Sequence, residues 1–334
     1  MLDNVNLIAR QDTSGAMPLL MAYAEQALVA LNADLPEFVK PEPLANVVVV
    51  GFGTSGAAAD AIVAYLRDKA TVPVAVVKDR RVPSYVGPQS LVIVASYSGD
   101  TGDCADAYTD AIERGATVVA VTRGGAVEEL ASERAVVRLP AGYGAQFSLP
   151  ATFFTLYRVL AEHGVFERQP EDEAEALQLL ARQCRALAPD VPEVSNPAKQ
   201  MASALLGKLP VIYAGSDWLH CVAQRWCSQI NASGKLLAHP NTYPELTHNE
   251  LLAWQNATKQ CQQLAVVLLR DRGDDSVGAA RVGAAADLIP TEVDVHEVYA
   301  EGITRLARLW TALTFADISS AYLALAWGGD PSAV

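Results

Sequence analysis

The sequence predicts an α/β protein with two lobes, each a parallel β-sheet flanked by helices. Short apolar runs alternate with longer helix-like segments, the same rhythm restarts in the second half, and a glycine-containing turn follows a strand in both halves. Runs that are apolar throughout are typical of strands covered on both faces, as parallel strands are. At 334 residues the chain is long enough for two lobes with a core each.

The first lobe begins after an apolar-periodic segment at about 15–33, which is expected to form a helix packed on the sheet. Its strand candidates lie at 47–51, 72–77, 90–96, 117–122 and 135–139. Its helix candidates lie at about 56–69, 101–114 and 124–132. This alternation favours right-handed βαβ crossovers that join the strands into one parallel sheet.

The second lobe follows two helix candidates at 149–163 and 170–188 and a stretch punctuated by Asp190, Pro192 and Pro197. Its strand candidates lie at 209–215, 235–240, 263–271 and 291–299, and its helix candidates at about 217–231, 275–286 and 302–326. We therefore predict four segments: an N-terminal helical segment at 1–34, the first lobe at 35–148, connecting helices at 149–197, and the second lobe with the C-terminal helix at 198–334.

Composition limits the classes of partner. Twenty-five basic residues against 38 acidic ones give a net charge of -13, which disfavours binding to nucleic acid or to an anionic membrane. The acidic N-terminus has no signal-peptide pattern, and no run of apolar residues is as long as a membrane span. The five cysteines are scattered and form no C-x-x-C pair, so we expect reduced thiols in the cytoplasm and no metal site.

Two strand-to-helix turns of the first lobe carry the candidate site. GFGTSG at 51–56 ends one buried strand, and SYSGDT at 96–101 ends another. Ligands of open parallel sheets bind at the carboxyl ends of strands, where hydroxyls, backbone N–H groups and helix N-termini can hold an anion. The candidate phosphate-binding residues of the two turns are Gly53, Thr54, Ser55, Ser96, Ser98 and Thr101.

Two other interpretations of these turns stay open on the residues alone. Serines and glycines also cap helices and form turns, and either turn by itself is explained that way. GFGTSG also resembles a dinucleotide-binding loop, but only Asp79 follows as a ribose-binding candidate and the S-x-S-G-x-T turn is foreign to that fingerprint. The two turns together favour a sugar phosphate, and we expect no cofactor.

These residues resemble a known family. GFGTSG followed by SYSGDT looks like the sugar isomerase (SIS) domain, whose second turn binds the phosphate of a phosphosugar. The segment 213–235, followed by YPELTHNELLAW at 243–254 and SAYLALAWGGDP at 320–331, closely resembles the bifunctional phosphoglucose/phosphomannose isomerases. The resemblance covers most of the chain. It implies two SIS lobes and a homodimer with sites at the interface, where the motif histidine reaches a site built mainly by the other subunit.

Aldose–ketose isomerisation needs ring opening and then proton transfer between C1 and C2 through an enediolate. The motif histidine of PELTHNE is His248, whose ordinary pKa suits ring opening. The transfer base is expected to be a carboxylate, and Glu250 and Glu245 are the candidates next to it. His248 and Glu250 are therefore the candidate catalytic residues.

The chain departs from the family pattern at the positions that carry this chemistry. Spacing to the motif histidine places Ala232 where the family has the Glu of N-E-N-x-K, and Gln146 stands where the family has an Arg after the first lobe. The family also has a functional lysine in a helix beyond the D-P motif, and the sequence ends at Val334 without a counterpart.

The sequence thus predicts a hexose 6-phosphate isomerase-like protein that converts glucose 6-phosphate or mannose 6-phosphate to fructose 6-phosphate. Alanine cannot move a proton, so a non-catalytic phosphosugar-binding or regulatory protein is the alternative. A third possibility is an isomerase or aldolase-type enzyme with a relocated base, acting on another sugar phosphate.

Overall fold

The computed structural model describes residues 1–131, 135–256, 261, 263–274 and 276–332. The helices within these ranges are α1 (Val5–Gln11), α2 (Ala16–Met21), α3 (Tyr23–Asn32), α4 (Gly53–Leu66), α5 (Gly102–Glu113), α6 (Gly125–Leu130), α7 (Leu149–Glu162), α8 (Pro170–Ala186), α9 (Pro197–Leu205), α10 (His220–Ala232), α11 (Leu246–Asn249), α12 (Ser276–Ala286) and α13 (Arg305–Trp327). The strands are β1 (Asn46–Gly51), β2 (Val74–Val77), β3 (Ser90–Ser96), β4 (Thr117–Thr122), β5 (Val136–Arg138), β6 (Leu209–Ala214), β7 (His239–Thr242), β8 (Leu264–Asp271) and β9 (Asp294–Ala300). Short 3-10 helices lie at Glu193–Ser195, Asp217–Leu219 and Leu251–Asn256.

These elements form two units. The five-stranded unit is Tyr23–Gln169, and the four-stranded unit combines Met1–Ala22 with Pro170–Val334. The predicted connecting segment at 149–197 is divided between the two units. Helix α7 packs on α3 and α4 in the five-stranded unit, whereas α8 and α9 pack on α13 in the four-stranded unit.

The five-stranded sheet is parallel throughout, with the order β2-β1-β3-β4-β5. All five predicted strands of the first lobe are confirmed to within two residues at their ends. Valines 47 to 50 of β1 are each at most 1% exposed, which explains why the run is apolar at every position. Helix α4 packs on β1 and β2, and α5 packs on β3 and β4.

The four-stranded sheet is also parallel, with the order β7-β6-β8-β9. The predicted strand at 235–240 lies later, at His239–Thr242. Lys235 has a φ of 53°, a left-handed conformation that interrupts extended backbone, and the Asn231 side chain accepts a hydrogen bond from the Ala238 N–H at 3.1 Å. A turn therefore precedes β7.

The predicted helix at 15–33 is two helices, α2 and α3, which belong to different units. Each half of its apolar pattern faces a different partner, since α2 packs on α13 and α3 packs on α7. The C-terminal helix α13 is long and apolar enough to cross a membrane by length and composition, contrary to the expectation from the sequence. However, 94% of its most apolar window is buried inside the protein, as in the core helix of a globular fold.

Candidate functional site

The two candidate turns lie side by side at the carboxyl edge of the five-stranded sheet. The chain runs from β1 to β2 on one side and returns to β3 on the other, so the strand order reverses between β1 and β3. Gly51, at the end of β1, is in register with Ala95, one residue before the end of β3. Ligands of open parallel sheets bind at such a switch point. Both turns thus lie at the carboxyl edge of this sheet, and ligand binding at that edge stays a prediction.

The first turn is built on close backbone contact between Gly51 and Gly56. A Cβ atom at Gly56 would lie 2.7 Å from the Gly51 carbonyl oxygen, so only glycine permits this approach. Gly53 starts α4 with a φ of 53° and is exposed. Ser55 is 5% exposed in the first turn of the helix, and Thr54 is half-buried.

The second turn is organised by its own hydroxyls. The Ser96 hydroxyl accepts a hydrogen bond from the Gly99 N–H at 3.2 Å and lies 3.4 Å from the Thr101 hydroxyl. The Ser98 hydroxyl accepts from the Asp100 N–H at 3.2 Å and is exposed. Gly99 has a φ of 79°, and a Cβ atom there would lie 1.6 Å from the Gly124 carbonyl oxygen. The turn after β4 therefore supports the second turn directly.

Both turns end at the N-termini of helices whose first N–H groups can face a ligand. Among the described residues, no side chain of the N-cap positions Phe52 and Thr101 caps α4 or α5. Uncapped N–H groups at a helix start, together with the helix dipole, attract an anion. The six predicted residues are thus divided between two adjacent turns, three in each.

Three further residues border the two turns. The Thr54 hydroxyl donates to the Gln146 carbonyl at 3.1 Å, which places the substituted position beside the first turn. The Lys78 side chain lies beside the first turn, because its Cε is 3.3 Å from the position that a Cβ atom on Gly56 would occupy. The Lys78 ammonium forms an ion pair with Asp60 at 2.6 Å. The Arg123 backbone N–H donates to the Tyr97 carbonyl at 3.2 Å, and the Arg123 guanidinium lies 5.9 Å from the Tyr97 ring centre.

The sequence reasoning missed Lys78 and Arg123. Lys78 directly follows β2, which pairs with β1, and Arg123 directly follows β4, which pairs with β3. A basic residue directly after a strand that pairs with a site-bearing strand is the signal that could have found them. Tyr97 connects Arg123 to the loop that carries Gln146, because its hydroxyl donates to the Pro140 carbonyl and accepts from the Tyr143 N–H.

His248 lies on α11 in the four-stranded unit and is exposed. It lines a cavity of about 680 Å³ at the carboxyl edge of the second sheet, together with Gly215 and Tyr243. The cavity walls are mainly apolar, and Leu251 and Leu288 are among their side chains. Glu245 accepts a hydrogen bond from the Asn249 amide at 3.2 Å.

Glu250 is held by three neighbours. The Tyr213 hydroxyl donates to its Oε1, the Asn241 amide donates to its Oε2 at 2.5 Å, and the His239 Nε2 lies 3.3 Å from Oε2. Burial, with the hydrogen bond to Glu250 as the next cause, raises the pKa of Tyr213 far above its usual value. Tyr213 therefore stays a neutral donor to the carboxylate. Sequence reasoning missed His239, which is eleven residues from Glu250 along the chain.

Ala232 ends α10 and is exposed, and its carbonyl accepts from the Lys235 ammonium. The neighbouring Arg225 is 4% exposed and pairs with Asp317 of α13 through two hydrogen bonds of 2.9 Å. Arg225 thus fixes α10 on the C-terminal helix.

Within the described ranges, no cluster of three or more His, Cys, Asp and Glu residues is arranged to hold a metal ion.

Comparison with known proteins relates both units to one family. Residues 44–160 match the SIS domain, and residues 194–334 match the bacterial phospho-glucose isomerase C-terminal SIS domain. The bifunctional phosphoglucose/phosphomannose isomerase of Caldicellulosiruptor bescii is 33% identical over 312 residues, which are 92% of each chain. The chain belongs to the bifunctional phosphoglucose/phosphomannose isomerase family.

A second relative supports this assignment, and a solved structure has the same fold. The Aquifex aeolicus bifunctional phosphoglucose/phosphomannose isomerase is 29% identical over 293 residues, covering 86% of this chain and 87% of the relative. The crystal structure of a glucose-6-phosphate isomerase-like protein from Thermus thermophilus has the same fold, with a TM-score of 0.66 at 21% identity. The match covers 100% of this chain and 98% of that one.

Proposed function

We propose that this protein binds a hexose 6-phosphate and interconverts glucose 6-phosphate or mannose 6-phosphate with fructose 6-phosphate. One observation carries the proposal: two turns rich in hydroxyls and two uncapped helix starts adjoin at the switch point between β1 and β3. A phosphate dianion is the ligand that such a group of donors suits. The names of the relatives supply the sugar and the reaction.

In this proposal the phosphoryl group is held by Ser55, Ser96, Ser98 and Thr101, while Gly53 and Thr54 shape the first turn. The Ser96 hydroxyl has its orientation fixed by the Gly99 N–H, so its remaining hydrogen-bonding capacity is directed before the ligand arrives. Preorganised donors lose little rotamer entropy when they bind. His248, exposed beside a cavity, is the proposed group for ring opening.

A homodimer in the cytoplasm is part of the same proposal. Leu237 and Leu252 are 75% and 68% exposed and lie in the two segments that flank β7 and α11, where a second copy could cover them. All five cysteines are free thiols, which suits a reducing compartment.

A second candidate function, phosphosugar binding without turnover, is favoured by one specific observation. Ala232 stands where the resemblance to the family implies a carboxylate, and its exposed methyl group at the end of α10 cannot move a proton. This candidate predicts the same cradle and the same ligand, with no interconversion at any pH.

The decisive experiment is an NMR assay on fructose 6-phosphate with protein from a host that lacks its own hexose-phosphate isomerases. We expect glucose 6-phosphate and mannose 6-phosphate to appear, and Thr101→Val to slow their formation by about 10–100-fold at substrate concentrations well below KM, because phosphate binding is weaker. Thr109→Val is the matched control, since Thr109 is exposed on α5 and its hydroxyl donates to the Ala105 carbonyl of its own helix. Ligand-induced thermal stabilisation without product would leave only the binding function.

A further inference from the structure

His239 and Glu250 form a paired histidine and carboxylate in the four-stranded unit. His239 begins β7 and its side chain is 58% exposed, while Glu250 follows α11 and its side chain is 23% exposed. The imidazole Nε2 lies 3.3 Å from Glu250 Oε2. An exposed imidazole held by a partly buried carboxylate is the arrangement of a base with its orienting group.

The carboxylate is itself fixed by buried neighbours. Tyr213 is fully buried and donates its hydroxyl proton to Glu250, while the Trp254 indole N–H donates to the same hydroxyl at 3.1 Å. The Asn241 amide, on β7 beside His239, donates to the other carboxylate oxygen. The chain of donors runs from Trp254 through Tyr213 to Glu250, so Glu250 cannot turn away from His239 without losing several hydrogen bonds.

This arrangement selects one tautomer of His239. An ionised carboxylate only accepts hydrogen bonds, so the Nε2 atom that faces it must carry the proton. The second ring nitrogen, Nδ1, then has the lone pair. A neutral imidazole with this lone pair can take up a proton, and Glu250 stabilises the imidazolium that results.

The pair also lies between the two segments that carry the family motifs. Glu250 is two residues beyond His248. On the other side, the Asn231 side chain binds the Ala238 N–H at 3.1 Å, which ties the residue before Ala232 to the residue before His239. His239 is therefore next to the end of α10, where this chain has alanine in place of a carboxylate.

We propose that His239, oriented by Glu250, is the proton-transfer base of this protein. The proposal rests on the proposed isomerase function. The Nδ1 atom removes the proton from C2 of the open-chain aldose, and the C–H electron pair forms the C1=C2 double bond of the enediolate as O1 takes the charge. The imidazolium returns the proton to C1, and the hydroxyl proton on O2 moves to O1, which gives the ketose. No oxidant, reductant or co-reactant is needed.

Proton exchange with solvent tests this role separately from binding. Protein and fructose 6-phosphate in heavy water are followed by NMR for deuterium at C1 of the ketose and C2 of the aldose. We expect His239→Gln to slow exchange by about 10²–10⁴-fold, the usual range for the loss of a general base, with the Kd of the sugar phosphate within about threefold. His296→Gln is the matched control, a partly buried histidine on β9 in the same unit.

Glu250 is a positioning residue, and its test needs a second readout. Glu250→Gln should lower kcat while KM stays near its original value, and the ¹⁵N spectrum of His239 should lose the single Nε2-protonated tautomer. A purely structural role of Glu250 would lower stability and leave the tautomer as it is.

The outcomes separate this inference from the function on which it rests. Exchange by the unaltered protein that survives His239→Gln overturns the inference and leaves the isomerase standing. Binding without any exchange in the unaltered protein overturns both. Loss of exchange in His239→Gln, with intact binding and an active His296→Gln, supports both.

Discussion

Replacing Gly99 by alanine should collapse the second turn, and the structure gives the magnitude. The added Cβ would lie 1.6 Å from the Gly124 carbonyl oxygen, so the two turns would have to separate by about 2 Å before ordinary contact is restored. That movement strains the hydrogen bonds that join the two turns, which run from the Arg123 N–H to the Tyr97 carbonyl and from the Val127 N–H to the Gly99 carbonyl. Overpacking of this kind typically costs about 1–3 kcal/mol. A φ of 79° adds about 1–2 kcal/mol for any residue with a Cβ.

We therefore expect Gly99→Ala to lower the free energy of unfolding by about 2–5 kcal/mol, measured by urea denaturation. The Gly99 N–H orients the Ser96 hydroxyl, so calorimetric titration with a hexose 6-phosphate should show at least a roughly tenfold weaker Kd at temperatures where the variant is folded.

Alanine substitutions at two other glycines distinguish backbone strain from steric collision. Gly53 has a φ of 53° with open space around the missing Cβ, so Gly53→Ala should cost about 1–2 kcal/mol from strain alone. Gly102 has open space and no positive φ, so Gly102→Ala should be neutral or slightly stabilising. If Gly99→Ala proved as stable as Gly102→Ala, the contact between the turns after β3 and β4 would be refuted.

Four further outcomes are expected. Ser96→Ala should weaken hexose 6-phosphate binding by about 10–100-fold in a calorimetric titration, since a hydrogen bond to a charged group is worth about 1.5–3 kcal/mol, while the exposed Ser228→Ala leaves it unchanged. Asp317→Asn should lower the free energy of unfolding by about 3–5 kcal/mol because the buried Arg225 guanidinium loses the carboxylate that faces it, whereas Arg225→Met with Asp317→Leu should be nearly neutral. Equal losses in both variants would contradict the pairing. Burial raises the pKa of Cys104 to about 11 and that of Cys227 to about 12, so a thiol reagent at pH 8 should label neither until urea is added. Burial lowers the pKa of His163 below its unfolded value of about 6.5. The unfolded chain therefore binds the proton more readily, and the free energy of unfolding falls as the pH drops below about 6.5. His163→Gln should flatten that part of a curve of stability against pH.

The strands and the position of the two turns were predictable because their signals are local. Valines 47 to 50 are buried on both faces of the sheet, so the sequence shows an unbroken apolar run. The turns after β1 and β3 each have glycines and hydroxyls within six residues, and the general rule for parallel sheets brings strand ends together.

Arg123 and His239 were not predictable because their positions depend on distant pairing. Arg123 reaches the second turn only because β4 lies beside β3, with Thr122 in register with Ser96. His239 is paired with Glu250, and Glu250 is held in turn by Tyr213. These two residues lie in other parts of the chain than β7. The break between α2 and α3 was missed for the same reason. The apolar pattern reads as one helix, but α2 packs on α13 and α3 packs on α7.

A crystal structure with fructose 6-phosphate bound tests the central claim most directly. The phosphoryl oxygens should lie within hydrogen-bond distance of the hydroxyls of Ser96, Ser98 and Thr101 and face the start of α4 near Ser55. A phosphoryl group bound elsewhere, or a cradle filled by its own side chains while the sugar is bound, would contradict the account.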